Sequence, residues 1–249
     1  MMLGFQKLTA LLSDVRRISG GEGTGLKIIP LEGDREIALG SYEPPVQRAL
    51  LDNLAPGDVF YDIGANIGFF SLLAARRVGP EGQVYAFEPV PRNAAAIGRG
   101  AQLNGFSGLE VFAKAAGATS GTAELNLAHH IGGAVLASVG APPDRRGSLS
   151  VEVVAIDDII RQRDLRPPSL VKLDVEGAEM EVLEGMAATL HAHRPILIVE
   201  LDDETNAGLE AKTASLVSLL AEAGYQFERL AQCYPDADWQ VTHFVARPT

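Results

Sequence analysis

The sequence predicts an α/β domain built on a mostly parallel sheet with helices on both faces. Three observations carry this. Short apolar runs such as Val59–Ile63, Ser169–Leu173 and Ile196–Leu201 recur between amphipathic stretches of ten or more residues, the pattern of buried parallel strands joined by crossover helices. One of those strands, Val59-Phe-Tyr-Asp-Ile63, runs into the glycine-bearing turn Gly64-Ala-Asn-Ile-Gly68, which opens a helix. The next strand, ending Tyr85-Ala-Phe-Glu-Pro89, places an acid twenty residues after Gly68. A chain of 249 residues suits one such domain with some decoration.

In chain order, Met1 to Gly20 carries Leu3, Leu8, Leu11, Leu12, Val15 and Ile18 at helical spacing. The glycine-rich stretch Ser19–Gly25 then acts as a joint. Residues 26–31 and 36–39 read as a short hairpin, so 1–40 form a helix-and-hairpin extension, a lid or an interface, ahead of a main domain at 41–249. Glu43–Leu54 is a helix with Pro44 and Pro45 in its first turn, where missing amides cost little. Strand 59–63 feeds helix 67–78, strand 83–88 feeds helix 91–104, and 109–113 is a third strand. Segments 122–127 and 149–155 look β-like around an irregular stretch at 129–148, and a loop of that length is often functional. Strand 169–173, helix 178–192, strand 196–201, helix 209–223 and a closing pair at 225–230 and 240–246 complete the reading.

Composition excludes several function classes. The formal charge is −11, which argues against a nucleic-acid partner and against electrostatic binding to anionic lipid. A single cysteine, Cys233, forms no internal disulfide and signals no oxidising compartment. No window approaches a membrane span, and the start lacks the uninterrupted apolar core of a signal peptide. The expectation is a cytoplasmic protein, a monomer or a small oligomer such as a homodimer.

Ligands of open parallel sheets lie beyond the carboxyl ends of the strands, so the strand-end residues carry the chemistry. Asp62 and Glu88 end the first two core strands at the spacing at which an acid accepts hydrogen bonds from a ribose. A dinucleotide fingerprint needs Gly-x-Gly-x-x-Gly, but the positions are Gly64, Asn66 and Phe69. The pattern Asp-x-Gly-x-Asn-x-Gly points instead to S-adenosylmethionine, which has a ribose but no pyrophosphate. The second constellation is Leu170-Val-Lys-Leu-Asp-Val-Glu-Gly-Ala-Glu179. Strand period two puts Lys172, Asp174 and Glu176 on one face. A buried ammonium needs an acid, so Lys172 pairs with Asp174 or Glu200 as a structural ion pair. Alternatively, Asp174 and Glu176 line the cleft and contact the cofactor's ammonium or the substrate hydroxyl. Glu200 makes the same argument on the neighbouring strand. In the irregular stretch, His130 is either an exposed loop histidine or a group titrating near neutrality that removes a proton. His191, His193 and His243 look structural. The carboxylates would accept magnesium, but nothing in the spacing demands it and no metal site is expected.

With those segments in view, the chain resembles the FkbM-type family of S-adenosylmethionine-dependent methyltransferases. The resemblance rests on Tyr42-Glu-Pro44, Phe60–Ser71, Ala86-Phe-Glu-Pro89, Val171–Glu179 and Pro195–Glu200, in family order, and covers roughly residues 41–202. It implies a Rossmann-like seven-stranded sheet whose last strand is antiparallel. It implies S-adenosylmethionine as cofactor, with Asp62, Gly64, Asn66, Gly68 and Glu88 at matching positions. From the same segments Tyr42, Glu43, Ala65, Ser71, Pro89, Asp174 and Glu176 join the expected cofactor set. It also implies a small hydroxylated acceptor, such as a sugar or a secondary metabolite. Candidate bases are Asp174, His130 and Glu200, in that order. Competing readings are methylation of an amine or peptide amide and a catalytically silent binding module. A nicotinamide oxidoreductase is disfavoured by Asn66 and Phe69.

Overall fold

The computed structural model describes residues 14–30, 35–128, 134–138, 140, 145–235 and 239–249. Arg16–Arg17 (β1) pairs antiparallel with Lys27–Ile28 (β2) around the glycine-rich turn. Arg35–Leu39 (α1) follows. The hairpin expected from 26–31 and 36–39 is therefore not the one formed. Its second arm is helical, because Gly40 and Ser41 donate back to the Ile37 and Glu36 carbonyls. Four residues are too few for periodicity to separate strand from helix. The expected N-terminal helix lies mostly outside the described residues, and Arg16–Arg17 near its end is strand.

Pro44–Asp52 (α2), Val59–Ile63 (β3), Phe69–Val78 (α3), Gln83–Phe87 (β4), Pro91–Asn104 (α4) and Leu109–Phe112 (β5) alternate as the sequence predicts. Ala115–Ala116 (β6), Gly121–Ala128 (β7), Ala134–Leu136 (β8) and Arg145–Val154 (β9) then form a separate sheet in the order β6-β9-β7-β8. Within the stretch expected to be irregular, 134–136 and 145–148 are thus strand. Leu125, Leu136, Val151 and Val153 pack in one cluster with Val90 and Val175. Those last two flank the acids Glu88 and Asp174, so this second sheet borders the cleft.

Ile156–Arg163 (α5) is a helix that the sequence reading missed, having only three apolar residues in eight. Leu170–Leu173 (β10) follows. The single helix expected at 178–192 is two, Glu179–Gly185 (α6) and Ala187–His193 (α7), separated at Met186. A Cβ on Gly185 would lie 2.0 Å from the Gly117 carbonyl oxygen, so α6 ends where another backbone crosses it. Asp157 of α5 accepts the backbone N–H groups of Ala188 and Thr189, satisfying the donors freed by the restart. Ile196–Asp203 (β11), Asn206–Glu222 (α8), Tyr225–Arg229 (β12) and Gln240–Pro248 (β13) complete the chain.

The main sheet has the order β12-β13-β11-β10-β3-β4-β5, and β13 runs antiparallel to both neighbours. β11, β10, β3, β4 and β5 are parallel in turn. This is the Rossmann-like seven-stranded sheet that the resemblance implies. One face packs Tyr61, Phe87, Val171 and Val199, the other Phe60, Val84, Leu170 and Ile198. Ile18, Leu26, Ile28 and Ile37 of the N-terminal segment share the second cluster. Asp62 and Lys172, each two residues from a member of that cluster, are aligned across the β3–β10 register and lie on the same side. Among the described residues no helix is long and apolar enough to cross a membrane.

Candidate active site

The turn after β3 is shaped by backbone approach. Gly64 has φ +85°, and a Cβ there would lie 1.7 Å from the carbonyl oxygen of Asp174, so the two strand-end loops touch main chain to main chain. Asn66 also takes the left-handed conformation, at φ 51°. Its backbone N–H donates to Glu88 Oε2 at 2.9 Å, and the Val90 N–H donates to Oε1 at 2.8 Å. Burial nonetheless pushes the Glu88 carboxyl up to about 8 against the pull of those bonds. Asp62 is buried, and the Ser71 hydroxyl donates to its Oδ2 while Oδ1 has no partner among the described residues. Burial raises its pKa, with Lys172 and Ser71 opposing. The Ser71 hydroxyl is spent on Asp62, so it acts on a ligand only by holding that acid. Ala65 is buried beside the turn, and Pro89 is half-buried at its far edge.

A buried acid with an unpartnered oxygen, an acid poised at the next strand end and a turn with no room for side chains fit S-adenosylmethionine. Asp62 would meet its ammonium and Glu88 its ribose hydroxyls.

A row of ionisable groups runs from there across the sheet. Lys172 is buried, donates to Asp174 Oδ2 at 2.6 Å and sits 4.9 Å from the centre of the Phe70 ring. Burial opposes its charge, but Asp174, Glu43, Asp62 and Glu200 together hold its pKa above the ordinary lysine value. Of the two partners open to it in the sequence, Asp174 is the one bonded. Glu200 is instead paired through Oε2 with His243 Nε2 at 2.5 Å, its cross-strand neighbour in the β11–β13 register. Burial, then Asp174 and Glu43, push the Glu200 carboxyl up to about 8. The reading of His243 as merely structural missed this. The antiparallel register alone puts the imidazole opposite the acid, and no local motif announces it.

Tyr42 packs edge-on against Phe69, and burial raises its pKa strongly, with Glu43 adding to the effect. Glu43 follows at the N-cap of α2 with φ 44° and ψ 61°, a left-handed backbone that costs on the order of 1–2 kcal/mol outside glycine. It caps nothing. Beyond the loop, Glu176 at φ 56° faces Asp174, Asp202, Glu200 and Glu179, and burial plus this crowding raise its pKa well above the usual range. A cavity of about 270 Å³ opens next to it, lined by Gly177, Glu179, Met180, Leu201 and Lys212. His130 lies outside the described residues. Among the described residues, Glu43, Glu200 and His243 place ligand atoms within 4.8 Å of one another, a spacing one metal ion could span. With an imidazole in the set, that ion would be zinc or manganese rather than magnesium.

The sequence matches the family described as the Methyltransferase FkbM domain over residues 62–227. It is 26% identical over 181 residues to the hexuronic acid methyltransferase AglP of Haloferax volcanii, covering 73% of this chain and 69% of that protein. It is 28% identical over 229 residues to the 2-O-methyltransferase NoeI of Sinorhizobium fredii, covering 84% of this chain and 90% of that one. The fold also aligns with the crystal structure of Methyltransferase FkbM from Methylobacillus flagellatus at a TM-score of 0.52 and 17% identity, spanning 98% of this chain and 58% of that one. A cofactor turn at the first crossover, an ion-paired lysine inside the central strand and a family match across both show that the chain belongs to the FkbM family of S-adenosylmethionine-dependent methyltransferases.

Proposed function

We propose that this protein methylates a hydroxyl group on a small polyhydroxylated acceptor, a sugar or a sugar-bearing metabolite. The observation that carries the reading is Glu200 within β11, a carboxylate that keeps 16% of its side chain exposed while His243 holds its Oε2 at 2.5 Å. S-adenosylmethionine, when bound, supplies a methyl carbon already activated by a positively charged sulfur. The protein's share is to hold the acceptor oxygen in line, exclude water and take a proton. Asp174 is already engaged by Lys172 at 2.6 Å, which leaves Glu200 as the strand-end carboxylate without a lysine partner among the described residues. That Sinorhizobium NoeI is named for a 2-O position supports a hydroxyl acceptor, and that Haloferax AglP is named for a hexuronic acid supports a carbohydrate one.

The test is transfer of labelled methyl from S-adenosylmethionine to a panel of hydroxylated saccharides, with amines in parallel and products identified by mass. Labelled amine products and unmodified saccharides would overturn the reading. With a hydroxyl acceptor in hand, Glu200→Gln is expected to lower kcat by roughly 10²–10⁴-fold while S-adenosylhomocysteine affinity stays unchanged.

Cofactor binding should itself depend on pH. With its pKa raised to about 8, Glu88 is mostly protonated in the free protein at neutral pH. Ribose hydroxyls donate best to the ionised form, so binding releases a proton. Affinity for S-adenosylhomocysteine is expected to rise as pH climbs through about 8 and then level off. In the free protein the same raised pKa makes stability fall as pH rises from the ordinary carboxylate range to about 8. Calorimetry in buffers of different ionisation enthalpy reads the released proton, and zero uptake or release across that range would contradict the assignment.

A further inference from the structure

A wall rises beside the cofactor turn. β10 ends level with Val199, but the pairing of β11 with β13 continues through Glu200–His243, Leu201–Thr242, Asp202–Val241 and Asp203–Gln240. These pairs stand past the carboxyl end of β10, the end at which Asp62, Glu88 and Asp174 lie. Strand period two puts Glu200 and Asp202 on the same side as His243 and Val241. The next position on that side is Trp239, at the top of the wall and about 13 Å from His243 along an extended chain. It is the one tryptophan of the chain, and it is 51% exposed.

A lone exposed apolar side chain is an ordinary surface feature, but Trp239 is held in place. The Tyr234 ring stands 6.2 Å from the indole at 42° and 6.3 Å from the His243 imidazole at 36°. The Tyr234 hydroxyl donates to Glu43 Oε1, so this ring is anchored at its far end as well. Three rings therefore follow one another from the sealed imidazole beside Glu200 out to solvent.

We propose that Trp239, backed by Tyr234, is the platform on which a sugar ring of the acceptor rests. This rests on the hydroxyl-methylation reading given above and adds where the acceptor lies. One face of a pyranose carries a run of axial C–H bonds, while its hydroxyls project around the rim. The C–H face is apolar and weakly positive, so it suits the negative face of an indole. The rim hydroxyls are left free to donate to carboxylates. An aromatic ring above Glu200 and Asp202 offers both kinds of contact on one side of one wall, the mix of apolar surface and a few placed polar groups that small-ligand sites use.

Because Trp239 is the only indole, its fluorescence reports on the platform alone. In wild-type protein loaded with S-adenosylhomocysteine, acrylamide is expected to quench the emission readily. Millimolar methyl β-glucoside or methyl β-cellobioside should shield the indole and shift its emission to the blue. Sorbitol, which has the hydroxyls but no ring face, should leave it exposed. Trp239→Ala is expected to raise KM for the saccharide methylated in the transfer assay by about ten-fold or more, with kcat and S-adenosylhomocysteine affinity held. Trp239→Phe should recover most of that loss, a rescue and a KM-against-kcat split that a merely structural role would not give. Glycosides that leave the indole exposed, sorbitol that shields it equally, or an unchanged KM in Trp239→Ala each overturn the proposal. So does an indole already shielded in the free protein, which would give this face to a second copy of the chain. Methyl transfer to amines alone would instead sink the hydroxyl reading, and shielding by glycosides would then leave the platform standing as a sugar-binding surface.

Discussion

Replacing Lys172 by methionine is expected to destabilise the protein by about 3–5 kcal/mol, the scale of breaking a buried ion pair from one side. Methionine fills similar volume and keeps contact with Phe70, so the loss is electrostatic rather than steric. The ammonium is the cation that Asp174, Asp62, Glu43 and Glu200 share, and all four lie close enough to raise its pKa. Without it, Asp174 and Asp62 remain buried or half-buried without a compensating charge. For a domain of this size the change corresponds to a fall in Tm of roughly 6–20 °C. The deficit should shrink at mildly acid pH, where the stranded carboxylates take up protons. A melting temperature within about 2 °C of wild type at neutral pH would show that the row does not depend on its lysine.

Gly64→Ala is the second large effect. The new methyl would meet the Asp174 carbonyl oxygen at 1.7 Å, and that oxygen belongs to a main chain fixed by the β3–β10 pairing. The turn and the Asp174 loop must separate, which displaces Asn66 and Glu88 on one side and the Lys172 pair on the other. Loss of cofactor binding by about 100-fold or more is expected, since catalytic geometry tolerates less than an ångström of displacement. Gly57→Ala is the matched control. Its φ is +89°, but no atom lies within 4 Å of the added carbon, so only backbone strain of about 1–2 kcal/mol applies. Calorimetric titration of both variants with S-adenosylhomocysteine separates steric from conformational cost. Equal losses of affinity in the two would contradict the close-approach argument.

The cofactor half of the site was legible because its signals are local. Val59–Ile63 is an unbroken apolar strand, Gly64 and Gly68 punctuate the turn, and Glu88 sits at a strand end twenty residues on. The other half is written in pairings between distant strands. His243 reads as one residue in Val241-Thr-His-Phe-Val245, and only the antiparallel register of β13 sets it against Glu200. The helix at Ile156–Arg163 escaped because eight mostly polar residues show little periodicity, although Asp157 and Asp158 at its start and Arg161 and Arg163 at its end follow the helix dipole. The hairpin reading failed at Arg35–Leu39, where one inward residue, Ile37, decides a five-residue segment. Strand-end acids that face their own turn can be found by spacing. Groups that meet across the sheet cannot.

The hydrogen bond from Tyr234 to Glu43 joins residues 191 positions apart, and its consequence concerns the order of assembly. The residues expected to hold the methyl donor, Asp62 to Gly68 and Glu88, lie on β3, β4 and the turns after them, far earlier in the chain than that contact. The pairing of His243 with Glu200 exists only once the last strand lies between β11 and β12, and Glu43 reaches it across most of the chain. A chain still emerging from the ribosome, or one frayed at that strand, lacks the Glu43–His243–Glu200 group whatever the state of its glycine turn.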